Sequence, residues 1–257
     1  MIGLSMTSYN GRTPGDFERW LGEVESLGFD FVELVSEWPN FLTRENWKPY
    51  ADVLASFKLE VTIHAPFSDV NIGSLNERIR GASLEVLREA LEVASLLDAI
   101  VVTVHPGHCS PASRRFHDDY NRVHKVSLRE LERCSEEFDT VVGIENMPRF
   151  PILDAQTPER LKELLEETEL GVTLDVGHLN TVGLPLERFF ELLGKRIVHA
   201  HLHDNNGGRD EHLPLGTGTV PWRKVLPQLQ GLRWAFEVSS VSDALASLAF
   251  LRDIGEL

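Results

Sequence analysis

The chain has 257 residues, 42% of them hydrophobic, and its 40 acidic against 25 basic side chains give a formal net charge of −15. That balance argues against a broad electrostatic grip on nucleic acid, which needs many phosphate-neutralising Lys and Arg, but it leaves room for a local basic mouth. No stretch approaches the roughly 20 apolar residues of a membrane span, and the start, MIGLSMTSYN, lacks the basic and apolar regions of a secretory signal. Cys109 and Cys134 are too few for a disulfide framework and predict reduced thiols in a cytoplasmic protein. Scarce Gln beside abundant Glu, Leu and Val leans toward a thermophile.

Short apolar, β-branched runs recur along the chain and predict strands at 2–6, 31–35, 59–65, 99–105, 140–146, 170–176, 196–203 and 232–238. Amphipathic stretches alternate with them, at 14–28, 83–97 and 157–168 among others, with apolar residues at i, i+3, i+4 and i+7. Gly28 is a C-terminal stop for the first helix, and Ser83 and Thr157 are expected N-caps. Eight such units without a linker predict one α/β domain over residues 1–257, a single (β/α)8 TIM barrel. A doubly wound sheet fits less well, because no G-x-G-x-x-G follows a strand and opens a helix.

In such a barrel, function sits at the C-terminal ends of the strands. His64, His105, Glu145, Asp175, His201 and Glu237 fall at the ends of six consecutive predicted strands, and His178, Asp210 and His212 lie just beyond them. These are all metal-ligand types. Each alone has a structural alternative: a hydrogen-bonded His, a salt bridge across the mouth for Glu145 and Glu237, or a helix cap for Asp175. Jointly, the regular choice of one barrel end points to a metal site.

The remaining candidates are weaker. His203 alternates onto the same face as His201 and is an expected substrate contact, with Arg209 and Phe67 on the rim. His199 is expected to pack deeper in the core, and Glu33 to form a buried ion pair as readily as to act in catalysis. His117 and His124 read as surface helix residues, and Cys109 as a loop thiol. Rim arginines Arg12, Arg44, Arg114, Arg115, Arg149 and Arg209 are offset by Glu37, Glu45, Asp69 and Asp118.

The runs His64-Ala-Pro-Phe, Val104-His105-Pro-Gly, Glu145-Asn-Met-Pro, Leu174-Asp175-Val-Gly-His178, His201-Leu-His-Asp204, Asp210-Glu-His212 with Leu215-Gly-Thr-Gly218, and Phe236-Glu237 resemble the xylose isomerase-like barrel superfamily. That group contains endonuclease IV and many sugar isomerases and epimerases. The resemblance implies two alternative sites. In the endonuclease IV pattern, all nine residues bind three zinc ions. His64 and His105 hold the first, and Glu145 bridges it to the second. Asp175, His201 and Glu237 complete the second; His178, Asp210 and His212 hold the third. In the isomerase pattern, Glu145, Asp175, His201 and Glu237 hold one manganese or magnesium, and His178 contacts substrate.

His-rich sites suit zinc, whereas open carboxylate-rich sites suit manganese or magnesium. The complete set of nine favours a zinc phosphodiesterase, acting for example at abasic sites of damaged DNA or on a small phosphorylated substrate. A sugar or sugar-phosphate isomerase or epimerase is the alternative, with Glu145 and Glu237 as the catalytic base and acid. A non-catalytic metal-binding barrel is the third. Relative to endonuclease IV the chain is more acidic and carries no basic stripe suited to a DNA duplex.

Overall fold

The computed structural model describes residues 1–256; Leu257, the last residue of the expected domain, lies outside the described residues. Eight strands occupy the eight predicted runs: β1 (Ile2–Ser5), β2 (Phe31–Val35), β3 (Glu60–His64), β4 (Val102–Val104), β5 (Val142–Glu145), β6 (Gly171–Asp175), β7 (Ile197–Leu202) and β8 (Trp234–Phe236). All pair in parallel in chain order, and β8 closes on β1, giving the expected (β/α)8 barrel.

Alternation along the strands sorts the side chains. Leu4, Val32, Leu34, Ile63, Val102, Val104, Ile144, Val172, Leu174, Ala200, Leu202 and Phe236 are buried under the surrounding helices. Each fully buried Val, Leu, Ile or Phe contributes roughly 1.5–3 kcal/mol, so this shell between barrel and helices is the main source of stability. The opposite parity is polar: Glu33, Thr62, His64, Thr103, Glu145, Thr173, Asp175, His199 and His201 are all buried. Thr103 and Thr173 hydrogen-bond at 3.0 Å from β4 to β6, across the intervening β5. Gly143 of β5 permits this, since a Cβ there would stand 2.3 Å from Thr173 Oγ1.

The β6–β7 register steps by one residue: Val172 pairs with Ile197 but Thr173 with His199. This irregularity keeps His199 and His201 opposite Thr173 and Asp175 on the polar face. Bulges of this kind commonly re-aim side chains beside functional sites.

The helices follow local signals. Pro14–Ser26 opens on Thr13 with a capping box to Asp16, and Gly28, at φ +84°, follows it as expected. Thr157 caps Pro158–Leu164. Ser83 does not cap: its helix runs Glu77–Leu96 with Asn76 as N-cap. Ser83 instead donates to Ile79 O at 2.8 Å and accepts from Asn71 N at 2.9 Å, pinning the loop after β3. The periodicity misses the first turn and a half because Glu77, Arg78 and Arg80 carry little apolar signal. Among the described residues no helix is long and apolar enough to cross a membrane.

Candidate metal centre

Six strand ends, the helix after β6 and the loop after β7 bring the nine ligand-type side chains to one mouth. They form three groups, each with one possible ligand atom per residue and those atoms within 4.8 Å of one another. His64, His105 and Glu145 form the first. Glu145, Asp175, His201 and Glu237 form the second and share Glu145 with it. His178, Asp210 and His212 form the third together with His203.

In the first group, Glu145 Oε2 lies 2.8 Å from His105 Nε2 and 3.5 Å from His64 Nε2. His64 Nδ1 donates to its neighbour's carbonyl, Ala65 O, at 2.9 Å, which leaves Nε2 facing Glu145. In the second group, His201 Nδ1 lies 2.6 Å from Glu145 Oε1, 3.6 Å from Glu237 Oε1 and 3.9 Å from Asp175 Oδ2. In the third, Asp210 Oδ2 is 3.2 Å from both His178 Nε2 and His212 Nε2. The Nδ1 atoms of these two rings donate at 2.8 Å to Asn146 O and Glu237 O. Backbone carbonyls therefore fix the tautomer and aim of three rings, as outer partners of metal-bound histidines do.

Local sequence explains the placement. Asn146 pairs with both backbone groups of Asp175 at 2.9 Å, and its carbonyl orients His178. Asp175 also caps Val176–Val182 by accepting from His178 N at 2.6 Å, so cap and candidate ligand are one residue. Asp204 is fully buried and holds the loop after β7. It accepts from the backbone of Asn205, Gly216 and Val220 and from Trp222 Nε1 at 2.8 Å. Gly218 packs so closely that a Cβ would meet Asp204 Oδ1 at 2.3 Å, which accounts for the Leu215-Gly-Thr-Gly218 run. His212, on this loop, adopts φ +50°, a left-handed conformation costly for a residue with a Cβ.

Electrostatics at the mouth are crowded. Burial pushes the Glu145 carboxyl up, but His201 and the close imidazoles of His105 and His64 hold it well below the usual range. Glu237 goes the other way, raised by burial and by neighbouring Glu145 against the pull of His201. Burial drives His105 down to about 4. His212 is lifted to about 9, its burial outweighed by Asp210 and Glu237. The donor set fits divalent cations. Among the described residues, Glu145 Oε2, Asp175 Oδ2 and His203 Nε2 are buried with no hydrogen-bond partner, a costly state that a cation among them relieves.

The structure also places the other candidates. Phe67 stands against the His105 ring with centroids 4.7 Å apart and lines a cavity of about 460 Å³ over Glu145 and Glu237. Met147, Phe150, Ile152 and Leu153 form its apolar wall. Arg209 is exposed and outside that lining. His203 is fully buried and also outside it. Of the rim arginines, Arg44 is paired with Glu92, and Arg114 and Arg149 donate to the carbonyls of Pro151 and Val182.

One assignment changes. His124 is fully buried, not on the surface, and faces Asp154 at 3.7 Å. Glu33 forms the expected buried pairing, with two histidines of β7 as its partners. It accepts from His201 Nε2 at 2.9 Å and His199 Nε2 at 3.3 Å, directly beneath the second group. The signal for this was its parity: Glu33, His199 and His201 all occupy inward positions.

The sequence model of the xylose isomerase-like TIM barrel matches residues 21–254. An uncharacterized protein of Methanocaldococcus jannaschii is 35% identical over 244 residues, covering 91% of this chain and 83% of the relative. A probable endonuclease 4 of Mycobacterium leprae is 29% identical over 211 residues, covering 78% and 80%. Among solved structures, a D-tagatose 3-epimerase-like protein superposes with a TM-score of 0.89 at 33% identity, covering 98% of this chain and 96% of the other. Endonuclease IV from Thermus thermophilus superposes with a TM-score of 0.75 at 22% identity, covering 98% and 97%, a likeness of fold. With the match running from the first helix to the last, the chain belongs to the xylose isomerase-like TIM barrel family.

Proposed function

We propose that the protein is a metal-dependent phosphodiesterase of the endonuclease IV kind, using zinc and acting on a sugar-phosphate linkage such as that at an abasic site in DNA. The observation that carries this reading is the third group. Asp210 Oδ2 lies 3.2 Å from both His178 Nε2 and His212 Nε2, a convergence that chemistry at one metal does not require. An imidazole-rich donor set suits zinc. When bound, closely spaced divalent metals polarise a phosphoryl oxygen, lower the pKa of an attacking water and neutralise the leaving oxygen.

The chain's own residues do the rest. Glu145, shared by two groups, fixes their separation. His64 and His178 present Nε2 because Nδ1 is tied to backbone. Phe67, Met147 and Phe150 give the cavity an apolar wall beside the carboxylates. The test is cleavage of an oligonucleotide carrying one abasic site, with the intact duplex as control and the zinc content of the protein measured in parallel. Cleavage at the abasic position that disappears on chelation and in His212→Ala supports the reading. A zinc-loaded protein that leaves abasic DNA and simpler phosphodiesters intact defeats it.

A second reading, a sugar or sugar-phosphate epimerase, rests on Glu145 and Glu237. Their carboxylates approach His201 Nδ1 at 2.6 and 3.6 Å on the floor of a cavity sized for a small molecule. There, the two carboxylates would remove and return a proton at a sugar carbon. The similarity to a D-tagatose 3-epimerase-like protein points the same way. In this case deuterium from solvent enters a ketose, Glu237→Gln abolishes the exchange and His212→Ala is mild.

A further inference from the structure

His203 is the one imidazole of the third group that the nine-residue pattern leaves without a metal role. Its side chain is fully buried and does not reach the substrate cavity, which argues against a substrate contact. Its Nε2 lies 3.2 Å from Asp175 Oδ1 and 3.4 Å from Asp210 Oδ1, yet has no hydrogen-bond partner among the described residues. The ring stacks on His212 with centroids 4.0 Å apart and planes 10° from parallel, and meets the His178 ring edge-on at 5.6 Å. The space it fills exists because residue 177 is glycine: a Cβ there would stand 2.0 Å from His203 Cε1.

We propose that His203 Nε2 is a fourth protein ligand in the site of His178, Asp210 and His212, so that this site is closed to substrate. The inference rests on the reading of these groups as metal sites. Bonds of about 2.0–2.1 Å in a tetrahedron put ligand atoms about 3.3 Å apart. The 3.2 Å spacings of Asp210 Oδ2 to His178 Nε2 and His212 Nε2 already match. Zinc with four protein ligands is structural, whereas catalytic zinc keeps a position open. The third metal then locks the loop after β7 against the helix Val176–Val182. Substrate oxygens are left to the pair of groups joined by Glu145.

The test uses the full chain loaded with cadmium-113, with proton–cadmium couplings read by NMR. A closed third site gives one resonance coupled to three imidazole rings, a second to two (His64 and His105) and a third to one (His201). His203→Asn should remove one ring from the first pattern. It should also weaken zinc at that site by more than about 100-fold, beyond the loss expected of an outer hydrogen-bonding partner. Gly177→Ala, which displaces the ring without removing a donor, should weaken the same site. No cadmium resonance coupled to three rings, in a wild-type protein that does bind metal, overturns the role of His203 and leaves the metal reading standing. A protein that binds no cadmium or zinc removes both. Because the wild-type couplings decide the question, misfolding of a variant does not.

Discussion

Glu33 Oε2 accepts a hydrogen bond from His201 Nε2 at 2.9 Å, while Nδ1 of the same ring lies 2.6 Å from Glu145 Oε1. One face of the imidazole is therefore tied to a carboxylate from the opposite wall of the barrel, and the other faces the second candidate metal group. Both side chains are fully buried, so the pairing is not screened by solvent.

This arrangement predicts that Glu33→Gln lowers metal affinity without unfolding the barrel. A neutral acceptor makes Nδ1 a weaker donor and loosens the ring's aim, and outer partners of this kind are worth roughly 10–100-fold in affinity. Chelator competition with zinc or manganese measures it. An affinity equal to that of the unmodified protein would show that Glu33 is only a packing carboxylate.

Glu145 predicts a different pattern, because it belongs to two groups at once. Glu145→Gln should weaken both metals it serves while leaving the His178–Asp210–His212 site occupied. Elemental analysis of zinc-loaded protein should fall to about one ion per chain, from up to three if every group fills. Loss of a single ion, or of all of them, contradicts the shared-ligand geometry.

Much of this was legible in the sequence. The eight strands lie within the eight apolar runs, and the ligand-type residues stand where those runs end. Regular spacing carries that information, because closure of a parallel barrel turns strand ends into one rim. What stayed hidden depends on partners distant in sequence. Glu33 meets His201 across 168 positions. His203 shares parity with His201 and reads equally well as a substrate contact; only the packing of Gly177 and His212 around it places it in a ligand group. His124 sits in a helix with mixed polarity. Its burial depends on Asp154, Tyr120 and Arg160, contributed partly by a loop with no periodic signal.

That last network predicts acid sensitivity. Asp154 accepts from Tyr120 Oη at 2.7 Å and from Arg160 Nε and Nη2 at 2.8 and 2.7 Å. Burial raises its carboxyl, but Arg160 outweighs this and holds it down to about 2. His124 is lowered to about 4 by burial, with both ring nitrogens lacking a hydrogen-bond partner among the described residues. In each case the unfolded chain takes up protons before the folded one. The contribution of this network to stability is therefore full above about pH 6.5 and falls as His124's unfolded-state proton is bound between about 6.5 and 4, then further as Asp154's is bound below about 4. His124→Phe should flatten the upper part of the profile relative to wild type, by about 1.4 kcal/mol per pH unit. Urea midpoints from pH 7 to 4 test it; parallel wild-type and variant profiles refute it.

Asp204 makes the last prediction, and it separates loop order from chemistry. Its two oxygens accept four hydrogen bonds, from Asn205 N at 2.9 Å, Val220 N at 3.1 Å, Gly216 N at 2.9 Å and Trp222 Nε1 at 2.8 Å. Backbone bonds of 2.8 and 2.9 Å to Leu213 brace the same turn three residues from Asp210 and next to His212. Asp204→Asn keeps the volume but turns an NH2 group toward buried N–H donors, leaving at least one unsatisfied. The expected cost is about 2–4 kcal/mol in global stability. Metal at the His178–Asp210–His212 site should also weaken, because Asp210 and His212 ride on this loop, while the Glu145 groups, anchored on strands, keep theirs. Urea denaturation with elemental analysis resolves the two effects. Equal weakening at all three groups would mean that Asp204 supports the whole mouth rather than this loop.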